Sequence, residues 1–358
     1  MFIYIHIPFC KRICAYCDFP KVLYDKKYIN NYLSNLELEI KKRYQNEKIN
    51  SIFIGGGTPT ALDYNELQKL LEITNIFKKN QNIEFTIESN IESLDEQKIA
   101  LLKQYNVNRI SLGVQSFNPK ILNELNRNHT RESIFKIINN IKKSGITNIS
   151  IDLIYGVNEN INIVKEDIQD FLDLNIPHIS CYSLIIEKNT IYGVNKRKYI
   201  DDEIEYKMYK YIKDTLEKKG YKHYEVSNYA KEGYFSTHNI NYWDNGEYYG
   251  FGLGAVSKIA NNRISNTKNL TKYLQGNTIA EVNFEDKDLD ISNTIILGLR
   301  KVEGIDINKF KIRYGVDITN LYNIKELIKE KKLSIKKGFL YIEPKYYYLS
   351  NEILSNFV

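Results

Sequence analysis

The chain has 358 residues, 43% of them hydrophobic, and its 50 basic and 44 acidic side chains leave a net charge of +6. This length exceeds what one hydrophobic core usually holds, so a large domain with a smaller one is expected, and the apolar content excludes a disordered chain. Charges of both signs are interspersed without a basic block, and no apolar run approaches bilayer length, which argues against a nucleic-acid binder and a membrane-spanning protein.

Residues 2–7 alternate with period two and read as a strand, and they reach Pro8 and Cys10 too soon for a signal peptide. A helical pattern follows over 28–43. A short strand at 51–54 ends at Gly55-Gly56-Gly57-Thr58-Pro59, and 63–77 reads as the next helix. Strands at 83–88, 107–113, 148–154 and 178–185 then alternate with helices at 95–105, 131–144, 163–174 and 202–219. Repeated βα alternation means a parallel sheet, doubly wound or rolled into a barrel. Glu88, Gln115 and Asp152 all fall at or near strand C-termini, where βα barrels gather their functional groups. Residues 229–280, rich in Gly, Asn and Tyr, break the alternation. After about 286 the pattern turns to helices at 291–300 and 324–331 with a strand at 339–342. The expected division is a core over 1–228, a connecting segment over 229–285 and a small helical or winged domain over 286–358.

Four cysteines are present, and three of them, Cys10, Cys14 and Cys17, form a C-x3-C-x2-C loop directly after the first strand. So few cysteines at this spacing suit a reducing, cytoplasmic setting and a metal site rather than a disulfide framework. Thiolates are soft ligands, and a set of three leaves a position open for chemistry. In a 4Fe–4S cubane the fourth iron would then be free to accept a small molecule. The alternative is a closed zinc site with His6 as fourth ligand. Tyr4 and His6 share one face of the strand, an arrangement better suited to lining a pocket. Cys181, alone within a strand, reads as a small buried hydrophobe.

The cysteine motif resembles the radical S-adenosylmethionine (radical SAM) superfamily, which implies a partial (β/α)6 TIM-like barrel carrying a 4Fe–4S cluster and SAM. The glycine run, with Gly56, Gly57 and Thr58, then looks like the segment that holds the methionyl amino group, and Glu88 like an acceptor for SAM amino or ribose groups. The stretches around Gly113-Val114-Gln115, Arg127-Asn128-His129 and Asp152-Leu153-Ile154-Tyr155-Gly156 resemble a narrower family. It contains oxygen-independent coproporphyrinogen III oxidase and the HemW group of heme chaperones. There the positions matching Gln115, Arg127 and Asp152 contact SAM, and the one matching Tyr4 sits beside the cluster.

The oxidase has a fourth cysteine where this chain has Phe19, and an N-terminal extension, whereas this chain starts nine residues before Cys10. Both differences count against coproporphyrinogen oxidation. His238-Asn239-Ile240-Asn241-Tyr242-Trp243 matches the HNxxYW signature of the chaperone group and holds the protein's single tryptophan. It implies heme binding by His238, Tyr242 and Trp243, against the bland reading of a hydrogen-bonded core histidine. The resemblance departs at 157–160 and at Ile91 without removing an inferred ligand. It implies a heme chaperone able to cleave SAM reductively, served by a reductant such as flavodoxin or ferredoxin and delivering heme to an apoprotein. The rival readings are a radical SAM enzyme acting on a tetrapyrrole, and a zinc-bearing binding protein.

Overall fold

A computed structural model describes residues 1–357. Six parallel strands make the body of a nine-stranded sheet: β1 (Phe2–Ile7), β2 (Ile49–Gly56), β3 (Lys79–Asn90), β4 (Arg109–Gln115), β5 (Asn148–Tyr155) and β6 (His178–Ser183), in that spatial order. Each is followed by a helix: α1 (Lys26–Arg43), α2 (Tyr64–Ile73), α3 (Glu96–Gln104), α4 (Arg131–Lys143), α5 (Ile161–Leu174) and α6 (Asp202–Lys218). The helices start where the sequence supplies a cap. Asp25, Asp63, Asp95, Thr130, Asn160 and Asp201 each accept a hydrogen bond from a first-turn N–H, and Glu66 completes a capping box with Asp63. This is the partial six-unit barrel expected from the sequence.

Period-two alternation sorts the strand residues. Ile3, Ile5, Ile7, Ile52, Ile54, Phe85, Ile87, Ile110, Leu112, Ile149 and Ile151 pack with the helices in one continuous core. The alternate set, including Tyr4, His6, Ser51, Phe53, Glu88, Arg109 and Asp152, faces the inside of the curve. An unusually polar lumen follows.

The segment over 229–285 is not a separate connector. Asn228–Ala230 pairs antiparallel with β6 and with the edge strand Lys222–Glu225, and Tyr249–Phe251 pairs parallel with β1 at the other edge, so this stretch extends the sheet on both sides. Its remainder folds into an antiparallel three-stranded sheet over Val256–Ile259, Asn262–Asn266 and Ile279–Phe284. The C-terminal unit has its own core, with Ile295, Leu299, Phe310, Leu327, Leu340 and Ile353, built from helices and a small sheet of Ile305–Asp306, Phe339–Ile342 and Leu333–Lys336. Val226 N–H donates to the Arg300 carbonyl and Val302 N–H to that of Tyr224, which ties this unit to the barrel edge. Among the described residues no helix is long and apolar enough to cross a membrane.

Candidate functional site

A cavity of about 560 Å³ opens where the parallel strands end, and loops after several of them build its wall. Cys10, Cys14 and Cys17 line it as free thiols. Their loop is held at both ends. Cys10 lies on a two-residue strand paired with Val22–Leu23, Cys17 N–H donates to the Cys14 carbonyl, and Lys21 Nζ donates to that of Cys17 at 2.6 Å. Its middle is clamped across the cavity, where Ala15 N–H donates to the Leu125 carbonyl and Asn126 Nδ2 to that of Ile13. Burial pushes the Cys10 thiol up to about 11, against the opposing pull of the Thr58 hydroxyl, and raises the Cys17 thiol. Thiols held this way stay protonated at neutral pH until a metal displaces the proton. Among the described residues no three His, Cys, Asp or Glu side chains converge as a single-ion site requires.

His6 is excluded as a fourth zinc ligand. Its Nδ1 accepts from the Tyr4 hydroxyl at 2.9 Å, and its Nε2–H donates to the Pro20 carbonyl at 2.7 Å. Burial lowers its pKa to about 4, so the ring is neutral with both nitrogens engaged. Tyr4 therefore sits one layer below the cavity, against His6 and Phe53, and not in the cavity wall.

The glycine run serves the protein's own packing as much as any ligand. A Cβ on Gly56, whose φ is +109°, would meet the His6 ring at 2.5 Å, and one on Gly57 would meet the Pro8 backbone at 2.7 Å. Gly57 N–H donates to the Ile7 carbonyl and Thr58 N–H to that of Phe9. Gly56 N–H donates to Glu88 Oε2 at 2.9 Å. The N–H groups of Gly56, Gly57 and Thr58 are thus taken up by bonds within the chain, which leaves carbonyl oxygens as what the segment can offer an amino group.

Glu88, Gln115, Arg127 and Asp152 all line the cavity, as the sequence led us to expect. Burial, with help from the Asp152 charge, raises the Glu88 carboxyl to about 7 against the Gly56 N–H. Burial also raises Asp152, opposed by the Ser180 and Ser111 hydroxyls and the charges of Arg109 and Arg127. Gln115 has φ +68° at a register shift in β4, a left-handed backbone that an ordinary side chain rarely adopts. A Cβ on Gly113 would meet Gln115 Nε2 at 3.0 Å and Arg127 Nη2 at 3.2 Å, so both side chains lie over that residue.

Two residues escaped sequence reasoning. Asn90 accepts from Arg127 Nη1 at 2.6 Å and donates to Thr58 Oγ1 at 3.0 Å, and Thr58 Oγ1 donates to Cys10 Sγ at 3.8 Å. Tyr16, inside the cysteine loop, accepts from Arg127 Nη2 at 3.0 Å. Arg127 is thereby locked between the cysteine loop and β3, with its buried Nε unpartnered. The available signals were positional: Asn90 lies two residues beyond Glu88 on the same strand face, and Tyr16 lies between two ligand-spaced cysteines.

The HNxxYW residues lie elsewhere. They form the helix α7 (Thr237–Trp243), whose first N–H groups at Thr237 and His238 donate to Glu84 in the middle of β3. His238 is 1% exposed, with Nδ1 3.0 Å from Ser51 Oγ and Nε2 2.9 Å from the Tyr242 hydroxyl. Burial, with the Arg109 charge, lowers its pKa to about 3. Ser51 precedes Gly56 by five residues on β2, which separates His238 from the cavity by roughly 16 Å of strand. His238 and Tyr242 thus close the opposite end of the barrel, while Trp243 faces away from it toward the C-terminal unit.

Comparison with known proteins supplies an independent frame. Residues 4–172 match the model of the Radical SAM superfamily, and residues 286–345 match that of the HemN C-terminal domain. The heme chaperone HemW of Lactococcus lactis subsp. lactis (strain IL1403) is 39% identical over 366 residues, covering 99% of this chain and 96% of that protein. That of Bacillus subtilis (strain 168) is 34% identical over 375 residues, covering 99% and 98%. Among solved structures, the coproporphyrinogen III oxidase (HemN) of Escherichia coli, a radical SAM enzyme, superposes with a TM-score of 0.87 at 22% identity. It covers 99% of this chain and 89% of that one, a likeness of fold.

Proposed function

From a chain that belongs to the radical SAM superfamily and, within it, to the family of the heme chaperone HemW, we propose a protein that holds a 4Fe–4S cluster and SAM at the open barrel mouth and carries heme to an acceptor protein. The observation that carries the site assignment is the cavity itself, where three free thiols share one space with a fixed guanidinium and two buried carboxylates. Cys10, Cys14 and Cys17 would ligate three irons. Bound there, the cluster supplies the electron for reductive cleavage of SAM.

The chain's own groups bind and orient. Arg127 suits the SAM carboxylate: Asn90 and Tyr16 hold its two terminal nitrogens and its Nε is left over. Glu88 bonds Gly56 through one oxygen and keeps the other for the methionyl ammonium, which the carbonyls of Gly56 and Gly57 would share. Asp152 suits ribose hydroxyls, and Gln115 closes the site from a strained turn. Phe19, 65% exposed at the rim, stands where the oxidase has its fourth cysteine, which favours the chaperone over the oxidase. Free thiols at ligand spacing suit a reducing, cytoplasmic setting, and the electron donor in this reading is a flavodoxin or ferredoxin.

The test is anaerobic reconstitution followed by iron and sulfide analysis, the spectrum of the reduced cluster with and without SAM, and a hemin titration. Near four irons per chain, a SAM-dependent spectral change and saturable hemin binding support the reading. Iron-free protein with bound zinc, or turnover of coproporphyrinogen, sinks it.

A further inference from the structure

The HNxxYW signature is divided by its own helix. His238 and Tyr242, one turn apart, point into the barrel, while Ile240 and Trp243 line a cleft of about 720 Å³ on the other side. Cavities that enclose small molecules run to roughly 300–1,000 Å³ and favour domain boundaries. This cleft lies at such a boundary, between the barrel edge and the C-terminal unit.

Iron ligation needs a ring nitrogen with a free lone pair, and His238 has none: Ser51 and Tyr242 occupy both. The rings of Tyr242 and Phe53, with centroids 4.9 and 5.1 Å from that of His238, also cover it. A macrocycle would have to dismantle the end of the barrel to reach this imidazole. The cleft, in contrast, offers apolar surface from Phe235, Ile240 and Trp243, with the Arg300 guanidinium over the Trp243 ring, and charge at its rim. Lys301 pairs with Asp244, Lys222 with Glu232 and Arg313 with Asp290, which leaves Lys309, Glu303 and Asp306 as lining charges without an ion-pair partner among the described residues. A porphyrin has two apolar faces and one edge with two carboxylates, and so matches an aromatic slot with lysines at its lip.

We propose that heme rides in this cleft against Trp243 and Ile240, with its carboxylate edge toward Lys301 and Lys309, and that His238 holds the barrel plug instead of ligating iron. The inference rests on the chaperone reading above. It is tested by titrating hemin and iron-free protoporphyrin IX into the full-length protein, following the Soret band and the fluorescence of the single tryptophan. The variants are Ile240→Glu, Lys309→Glu, Glu303→Gln and His238→Gln, each checked for fold by circular dichroism.

Both porphyrins should bind the native chain, since faces and carboxylates do the recognising. Lys309→Glu and Ile240→Glu should weaken hemin at least tenfold, Glu303→Gln should tighten it a few-fold, and His238→Gln should stay within about twofold. Loss of hemin binding in a folded His238→Gln chain, with the rim variants unchanged, overturns the cleft and restores His238 as the ligand. If the native chain binds neither porphyrin, the chaperone reading itself fails, a result distinct from failure of the cleft alone.

Discussion

At the barrel mouth Arg127 keeps a buried Nε without a partner and Glu88 bonds through one oxygen only. At the closed end His238, Tyr242, Ser51 and Glu84 are hydrogen-bonded to one another or to backbone N–H groups. Both ends use buried, ionisable and aromatic side chains from the same strands. At these groups they differ in whether hydrogen-bonding capacity is left over, although Thr86 Oγ1, Arg109 Nε and Trp243 Nε1, away from the mouth, lack a partner as well. Since an unsatisfied buried polar group costs free energy, leftover capacity on groups that line a cavity, as with Arg127 and Glu88, suits a ligand, whereas the paired His238 serves the fold.

Several experiments can break or sharpen that contrast. The largest effect should come from the mouth: Cys10→Ala, Cys14→Ala or Cys17→Ala should each abolish a stable cluster, measured as iron and sulfide per chain after reconstitution. Retention of a full cluster in any of them would remove that thiol from the ligand set. At the closed end, His238→Ala strips partners from two buried hydroxyls and opens a void, so thermal unfolding should show a loss of about 3 kcal/mol. The iron content of the folded fraction should not change. A large drop in iron with no loss of stability would contradict the division of labour between the two ends.

Glu88 gives the next effect, read as a pH slope. Its folded pKa of about 7 lies above the ordinary 4.5, so between those values the folded chain holds a proton that the unfolded chain has lost. Stability of the cofactor-free protein should therefore fall as pH rises through that window, by roughly 3 kcal/mol at most. Glu88→Gln should flatten the slope in denaturant titrations; an unchanged slope would show that Glu88 is not its source. The smallest effect is expected for Arg127→Lys. An ammonium keeps the charge but cannot bridge Asn90 and Tyr16 in a fixed plane, so SAM affinity should fall about tenfold by equilibrium dialysis. Unaltered affinity would mean that charge alone is recognised.

What could be read in advance follows from how local each signal is. The six βα units were legible because period-two and helical patterns are sustained over whole elements, and because residues such as Asp63 and Thr130 cap their helices within three positions. The strands Lys222–Glu225, Asn228–Ala230 and Tyr249–Phe251 are too short to show a period, and their place at the sheet edges depends on partners elsewhere in the chain. Hence the expected connector at 229–285 contributes strands to both sides of the barrel sheet as well as a small sheet of its own.

By itself the sequence determined the alternating architecture, the three-thiol loop and the strand-end acids, because spacing along one chain segment decides each of them. Tertiary structure alone decided which functional groups are free. The partner of His238 is Ser51, 187 residues away, that of Arg127 is Asn90, 37 residues away, and the glycine run at 55–57 is shaped by His6, Pro8 and Glu88. A motif specifies which side chains are present. Whether a nitrogen or a carboxylate is left over for a ligand depends on what the fold packs against it.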